Sequence, residues 1–148
     1  MRKQAKGFTL VELLIVVVIM AVLAATVIPE FTSSTVDAKK NTSVFNLQTL
    51  RSQVQTYRAQ HGSKTPATLS LLTQVTNKAG ATTGTTGDPL AYGPYIVEVP
   101  EETISGKSDV AVSAATAPMG AITGTVGGWI YAAATGEILI NHEDYDDL

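Results

Sequence analysis

A single carboxylate, Glu12, lies inside the most apolar stretch of this 148-residue chain, and its placement demands a chemical reason. The stretch runs 22 residues from Phe8 to Pro29, and only Thr9, Glu12, Thr26 and Pro29 within it are not apolar. An ionisable side chain in such a segment is costly, and marks a functional position unless it reaches water. Glu12 stands four residues past Phe8, about 6 Å along a helix axis. Snorkelling to the headgroups is one answer to its burial; a functional role is the other. Few other residues offer chemistry. The chain has no G-x-S-x-G and no H-E-x-x-H, so catalysis has no constellation to work with. Of its two histidines, His61 falls at a helix end and His142 in the tail. With no cysteine, disulfides, thiolate zinc sites and thiol catalysis are excluded. Gly106-Lys107-Ser108 ends like a phosphate loop, but Glu101 stands where that loop needs glycine. The acidic tail Glu143-Asp144-Tyr145-Asp146-Asp147 lacks the D-x-D-x-D-G spacing of an oxygen cage and reads as solvated. No cofactor is expected, and a solvated tail is the reading preferred to calcium binding in the head.

The elements that hold these residues follow from periodicity. Twenty-two helical residues span about 33 Å, enough to cross a hydrocarbon core. Arg2, Lys3 and Lys6 precede the block and should stay cytoplasmic, placing the remainder across the membrane. A cleaved secretory signal is the competing reading, but the apolar run exceeds the usual length, and Val22-Leu23-Ala24 only imitates a cleavage site. From Phe8 onward the chain carries seven basic and thirteen acidic side chains, which argues against nucleic acid as a partner. Pro29 deletes a helical hydrogen bond and should kink the helix. Beyond it, Val44, Leu47, Leu50, Val54 and Tyr57 form an apolar stripe at helical spacing. The helix should therefore run from Phe8 to about His61, with Gly62 turning the chain.

Residues 62–148 then form a small head. Leu69, Leu72 and Val75 predict a short helix within Pro66–Asn77, and the Gly/Thr-rich Gly80–Asp88 reads as a loop. Tyr95–Pro100 and Asp109–Ser113 are candidate strands. Trp129–Tyr131 and Ile138–Ile140, flanking Ala132–Gly136, predict a hairpin with core-facing Trp129, Tyr131, Ile138 and Ile140.

Lys6-Gly7-Phe8-Thr9-Leu10-Val11-Glu12, with the apolar run to Pro29, resembles the N-terminal signature of the type IV pilin and pseudopilin superfamily. The resemblance implies a leader, Met1–Gly7, removed by a prepilin peptidase that cuts between Gly7 and Phe8 and N-methylates Phe8. Glu12 then becomes the fifth residue and meets a neighbour's terminal amine during assembly. Pro29 falls where the family also tends to place a proline. Gly93-Pro94-Tyr95-Ile96, Val99-Pro100 and Gly128-Trp129-Ile130-Tyr131 with Thr135-Gly136-Glu137-Ile138 resemble heads of the type II secretion major pseudopilin class, protein G.

These likenesses imply an α+β, pilin-like fold: a long N-terminal helix packed on a small antiparallel sheet. The expected organisation is a leader at 1–7, a membrane and filament-core helix at 8–29, its amphipathic continuation at 30–61 and a periplasmic head at 62–148. The implied role is a non-enzymatic pseudopilus subunit of type II secretion, inserted once in the inner membrane before extraction into the filament. Expected partners are further copies, other pseudopilins, the prepilin peptidase, and an inner-membrane platform with its ATPase. A type IV pilus subunit for adhesion or motility is the alternative; a signal-anchored binding or enzymatic head is the rival outside the class.

Overall fold

The computed structural model describes residues 7–82, 91–114, 119 and 127–145. Arg2, Lys3 and Lys6 of the expected leader, most of the loop expected at Gly80–Asp88, and Asp146 and Asp147 of the tail lie outside them. The chain is α+β and pilin-like, with one long N-terminal helix followed by two small sheets. It divides into two compact units, Met1–Ala38 and Lys39–Leu148.

Helix α1 runs Leu10–Gln60, and its assignment is unbroken through position 29. In the first unit every large apolar side chain of Phe8–Val36 is between 45% and 83% exposed. A soluble surface does not carry so large an apolar face without a partner, and α1 is long and apolar enough to cross a membrane. The polar side chains along it are satisfied locally. The hydroxyls of Thr26, Thr32 and Thr35 donate to the carbonyls of Leu23, Ile28 and Phe31, as hydroxyls do in helices lacking water.

In the second unit α1 presents Leu47, Leu50, Val54 and Tyr57 to the core, all at most 2% exposed. The expected stripe is there, except that Val44 is only half-buried and Ser43 takes the buried place beside it. The helix stops in a glycine cap: Gly62 has φ +65°, and the Ser63 amide donates back to the Arg58 carbonyl at 2.8 Å. Leu69 and Leu72 reach the core from a 3-10 turn at Leu69–Thr73, shorter than the helix expected there. Strands β1 (Thr76–Asn77) and β2 (Ala91–Tyr92) pair antiparallel.

The main sheet has order β3-β4-β5, with β3 at Val110–Ser113, β4 at Trp129–Ala132 and β5 at Glu137–Ile140. The β4–β5 hairpin is the expected one, with Trp129 opposite Ile140 and Tyr131 opposite Ile138. All four of these side chains are fully buried. Strand β3 runs parallel to β4, Val110 opposite Trp129, so the sheet is mixed where an antiparallel one was expected. Tyr95–Pro100 is not a strand. The amides of Tyr95 and Ile96 both donate to the Leu72 carbonyl at 2.8 and 3.2 Å, which takes them out of any ladder.

Candidate functional site

The candidate site is the start of α1. Gly7, Phe8 and Thr9 precede the helix, and the Leu13 amide makes the first helical bond to the Thr9 carbonyl at 3.3 Å. Thr9 is thus the N-cap and Glu12 the third helical residue. Their side chains exchange bonds: the Glu12 amide donates to Thr9 Oγ1 at 3.3 Å, while Glu12 Oε2 accepts from the Thr9 amide at 2.9 Å. Thr9 Oγ1 also donates to the same carboxylate oxygen at 2.7 Å. This is a capping box, which satisfies helix-start amides that have no partner within the helix. Thr9 was missed as a site residue, although Thr-x-x-Glu ahead of an apolar run is its sequence signal. The negative carboxylate also lies in the first turn, where the helix dipole favours it.

Gly7 and Phe8 are exposed, and a Cβ built on Gly7 meets nothing within 4 Å. The fold therefore does not require glycine at position 7, and any such requirement belongs to whatever grips the chain there. Gly7, Phe8 and Glu12 are brought together at one helix start. Pro29 lies 17 positions beyond Glu12 on the same helix.

A family model described as the prokaryotic N-terminal methylation motif matches residues 2–28. The start of α1 and the Gly7–Phe8 junction thus lie within a segment similar to that motif. Among curated proteins the chain is similar to type II secretion system core protein G of Dickeya chrysanthemi, at 35% identity over 68 residues. That match covers 46% of this chain and 44% of the relative, so the chain matches less than half of that protein's length. No solved structure matches.

The head contains a second polar cluster, which sequence reasoning passed over. Glu102 is fully buried. Its Oε1 accepts from Ser43 Oγ of α1 at 3.0 Å and from the Ile104 amide at 2.5 Å. Its Oε2 accepts from the Ser105 amide at 2.9 Å and from Ser105 Oγ at 2.5 Å. Burial pushes this carboxyl up, but the bonds from Ser105, Ile104 and Ser43 outweigh it and hold it below the ordinary value. The carboxylate therefore stays charged and staples the loop around it to α1. Thr103 Oγ1 donating to the Lys39 carbonyl at 2.7 Å and Asn46 Nδ2 donating to the Glu101 carbonyl at 3.0 Å extend the staple. The Gly106-Lys107-Ser108 stretch is part of the same loop, whose ends are joined by a bridge between Glu102 and Lys107.

His61 is a buried helix-end residue. Its ring stacks on Tyr57 at 3.7 Å and meets the edge of Tyr92. Nδ1 donates to the Tyr57 carbonyl at 2.8 Å, and Nε2 pairs with Thr76 Oγ1 at 2.9 Å, so both nitrogens are used structurally. Burial, with Tyr57 and Tyr92 nearby, pushes the Tyr95 hydroxyl up to about 12, so it remains a donor, to Gln60 Oε1 at 2.6 Å. Of the tail, Glu143–Tyr145 form a 3-10 turn, and His142 faces Asp144 at 3.7 Å. Among the described residues no three His, Cys, Asp or Glu side chains converge in a way that could hold a metal ion.

Proposed function

We propose that this chain is the structural subunit of a type II secretion pseudopilus, and that it has no catalytic activity. On this reading it enters the inner membrane once, with its N-terminus cytoplasmic and its head periplasmic. A prepilin peptidase cuts between Gly7 and Phe8 and methylates the new amine. An inner-membrane platform driven by an ATPase then lifts the subunit into a filament of packed α1 helices. Membrane burial of Phe8–Pro29 becomes helix–helix burial, with Ala21-x-x-x-Ala25 as a small-residue face for close approach. Pro29 supplies a kink where the helix leaves the core.

The single observation that carries the reading is the methylation motif over residues 2–28, with Glu12 fifth after the junction. The similarity to a type II secretion core protein favours a pseudopilus over a surface pilus for adhesion or motility. Intact mass and N-terminal sequencing of the protein from its host test the reading. A chain beginning at N-methyl-Phe8 supports it; one beginning at Met1 or Ala25 overturns it. Gly7→Leu should accumulate uncut precursor, and since position 7 has open space in the fold, a block there reports on the peptidase. Glu12→Val should be cut normally and fail to polymerise.

A further inference from the structure

The two edges of the main sheet are finished differently. On β5 the carbonyls of Ile138 and Ile140 face outward, and both are taken. Arg51 Nε and Nη2 donate to the first at 3.2 and 2.9 Å, and the His142 amide donates to the second at 2.9 Å. On β3 the pairing decides which groups remain. The Trp129 amide donates to the Asp109 carbonyl at 2.8 Å, and Val110 lies opposite Trp129. In a parallel ladder of that register Ala111 turns its amide and carbonyl to β4, so those of Val110 and Val112 turn out of the sheet. Among the described residues no other group bonds to them.

An open edge is a template for another strand, and proteins commonly guard it with charge, proline or a covering segment. Strand β3 reads Val-Ala-Val-Ser and carries neither charge nor proline. Its apolar row is also unfinished. Val112, Tyr131 and Ile138 stand side by side across the three strands. Tyr131 and Ile138 are fully buried, but Val112 is 61% exposed. A further strand beside β3 would satisfy the outward groups and set a side chain against Val112 in the same row.

We infer that β3 accepts an extended segment of another protein as a fourth strand, one with β-branched apolar residues at alternate positions and lysine or arginine at its ends. Main-chain bonds to Val110 and Val112 supply the affinity, and the apolar residue set against Val112 fixes the register. Charge selects the partner. Beyond Arg58 the chain carries three lysines against ten acidic side chains. A second head would therefore be repelled, while a basic segment is drawn in. The surface lies wholly within the unit Lys39–Leu148, so the inference goes beyond the filament reading and does not rest on it.

The test uses the full chain in a nonionic detergent and a synthetic peptide in which valine and threonine alternate between paired lysines. Binding should slow hydrogen exchange at the Val110 and Val112 amides about tenfold, and more than at Ala111, whose amide is already bonded to β4. Val112→Pro removes an outward amide and no bond to β4. It should weaken binding about tenfold while melting, followed at Trp129, stays within about 5 °C of wild type. The same peptide methylated on alternate backbone nitrogens should lose about as much on the wild-type chain, and carries the test if Val112→Pro melts lower. A peptide with glutamates in place of the lysines should bind about tenfold more weakly. No protection at Val110 and Val112, undiminished binding to a well-folded Val112→Pro, or equal binding of the methylated peptide would overturn strand addition. Equal binding of the glutamate peptide would overturn the basic partner. Protection of those amides that rises with protein concentration alone would put a second copy in its place.

Discussion

Replacing Glu102 by alanine removes a buried carboxylate whose two oxygens accept bonds from Ser43 Oγ, the Ile104 and Ser105 amides and Ser105 Oγ. The two hydroxyls can turn to other acceptors, but the two amides are fixed by the loop and lose their partner. A buried donor left without a partner costs about 1–3 kcal/mol, so the amides together set a loss of about 2–6 kcal/mol. Against this, the protein no longer holds a charge out of water, which returns part of the loss. Water can also reach the loop, because Glu101 and Ser105 on either side are exposed. A net loss of about 3 kcal/mol is expected, or about 10–20 °C in melting temperature for a head of this size.

Trp129 is the natural probe, since it is the chain's sole tryptophan, is fully buried, and donates through Nε1 to the Pro100 carbonyl at 2.7 Å. The pH dependence separates this mechanism from ordinary loss of packing. The folded-state carboxyl lies below its ordinary value. Its contribution is therefore fully present above about pH 4.3, the unfolded value for Glu, and is lost as pH falls through the folded value. The gap between wild type and Glu102→Gln should accordingly narrow as pH is lowered from about 6 towards 3. A Glu102→Ala variant melting within about 2 °C of wild type would refute the staple. A wild-type–Glu102→Gln gap that stays constant over that pH range would refute the charged state assigned to it.

Three further outcomes are expected of the head. Gly128→Ala should cost at least about 3 kcal/mol, because Gly128 has φ +75° and a Cβ there falls 2.4 Å from the Asp109 carbonyl oxygen; equilibrium unfolding followed at Trp129 measures it. Arg51 donates through Nε and Nη2 to the Ile138 carbonyl at 3.2 and 2.9 Å, covering the outer edge of β5. Arg51→Met keeps the stem and removes the donors, so it should cost about 1–2 kcal/mol and leave the sheet edge open to pairing, seen as concentration-dependent light scattering. Calcium at millimolar concentration should shift the head's melting by less than about 1 °C relative to chelator, and a larger shift would show a site that the tail's spacing does not predict.

How far the sequence disclosed this fold depends on which physical signal each part uses. The long helix and its stripe were legible because burial at a 3.6-residue period is a property of the chain itself, and Leu47, Leu50, Val54 and Tyr57 are buried as that period requires. The hairpin was legible for the same reason at a period of two, with Gly136 at φ +80° in its turn. The direction of β3 was not, because alternation says which face is buried and nothing about which strand lies alongside. Tyr95–Pro100 has strand composition, yet its first amides are claimed by Leu72, more than twenty residues upstream. Glu102 was invisible because it looks like any surface acid in Glu101-Glu102-Thr103; what makes it a staple is Ser43, 59 residues away. At the candidate site the sequence disclosed more than was taken from it, since Thr9 and Glu12 carry their capping relationship in four consecutive letters.

That capping relationship bears on how one carboxylate could serve two tasks in the proposed filament. In the single chain Glu12 Oε2 takes both bonds from Thr9. Oε1 takes none among the described residues, so the carboxylate has an unused acceptor face. An incoming amine from a neighbour can therefore bind without dismantling the helix start. It would meet a side chain already held in one orientation, so less rotamer freedom is lost when the pair forms. Glu12→Gln separates the two tasks, since the amide oxygen can still accept from Thr9 while the charge that attracts the amine is gone. Helix content in detergent should match wild type, and filament yield should fall as it does for Glu12→Val. Equal loss of helix content in Gln and Val would show that the cap depends on the charge, and wild-type filament yield from Gln would remove the amine from the assembly contact.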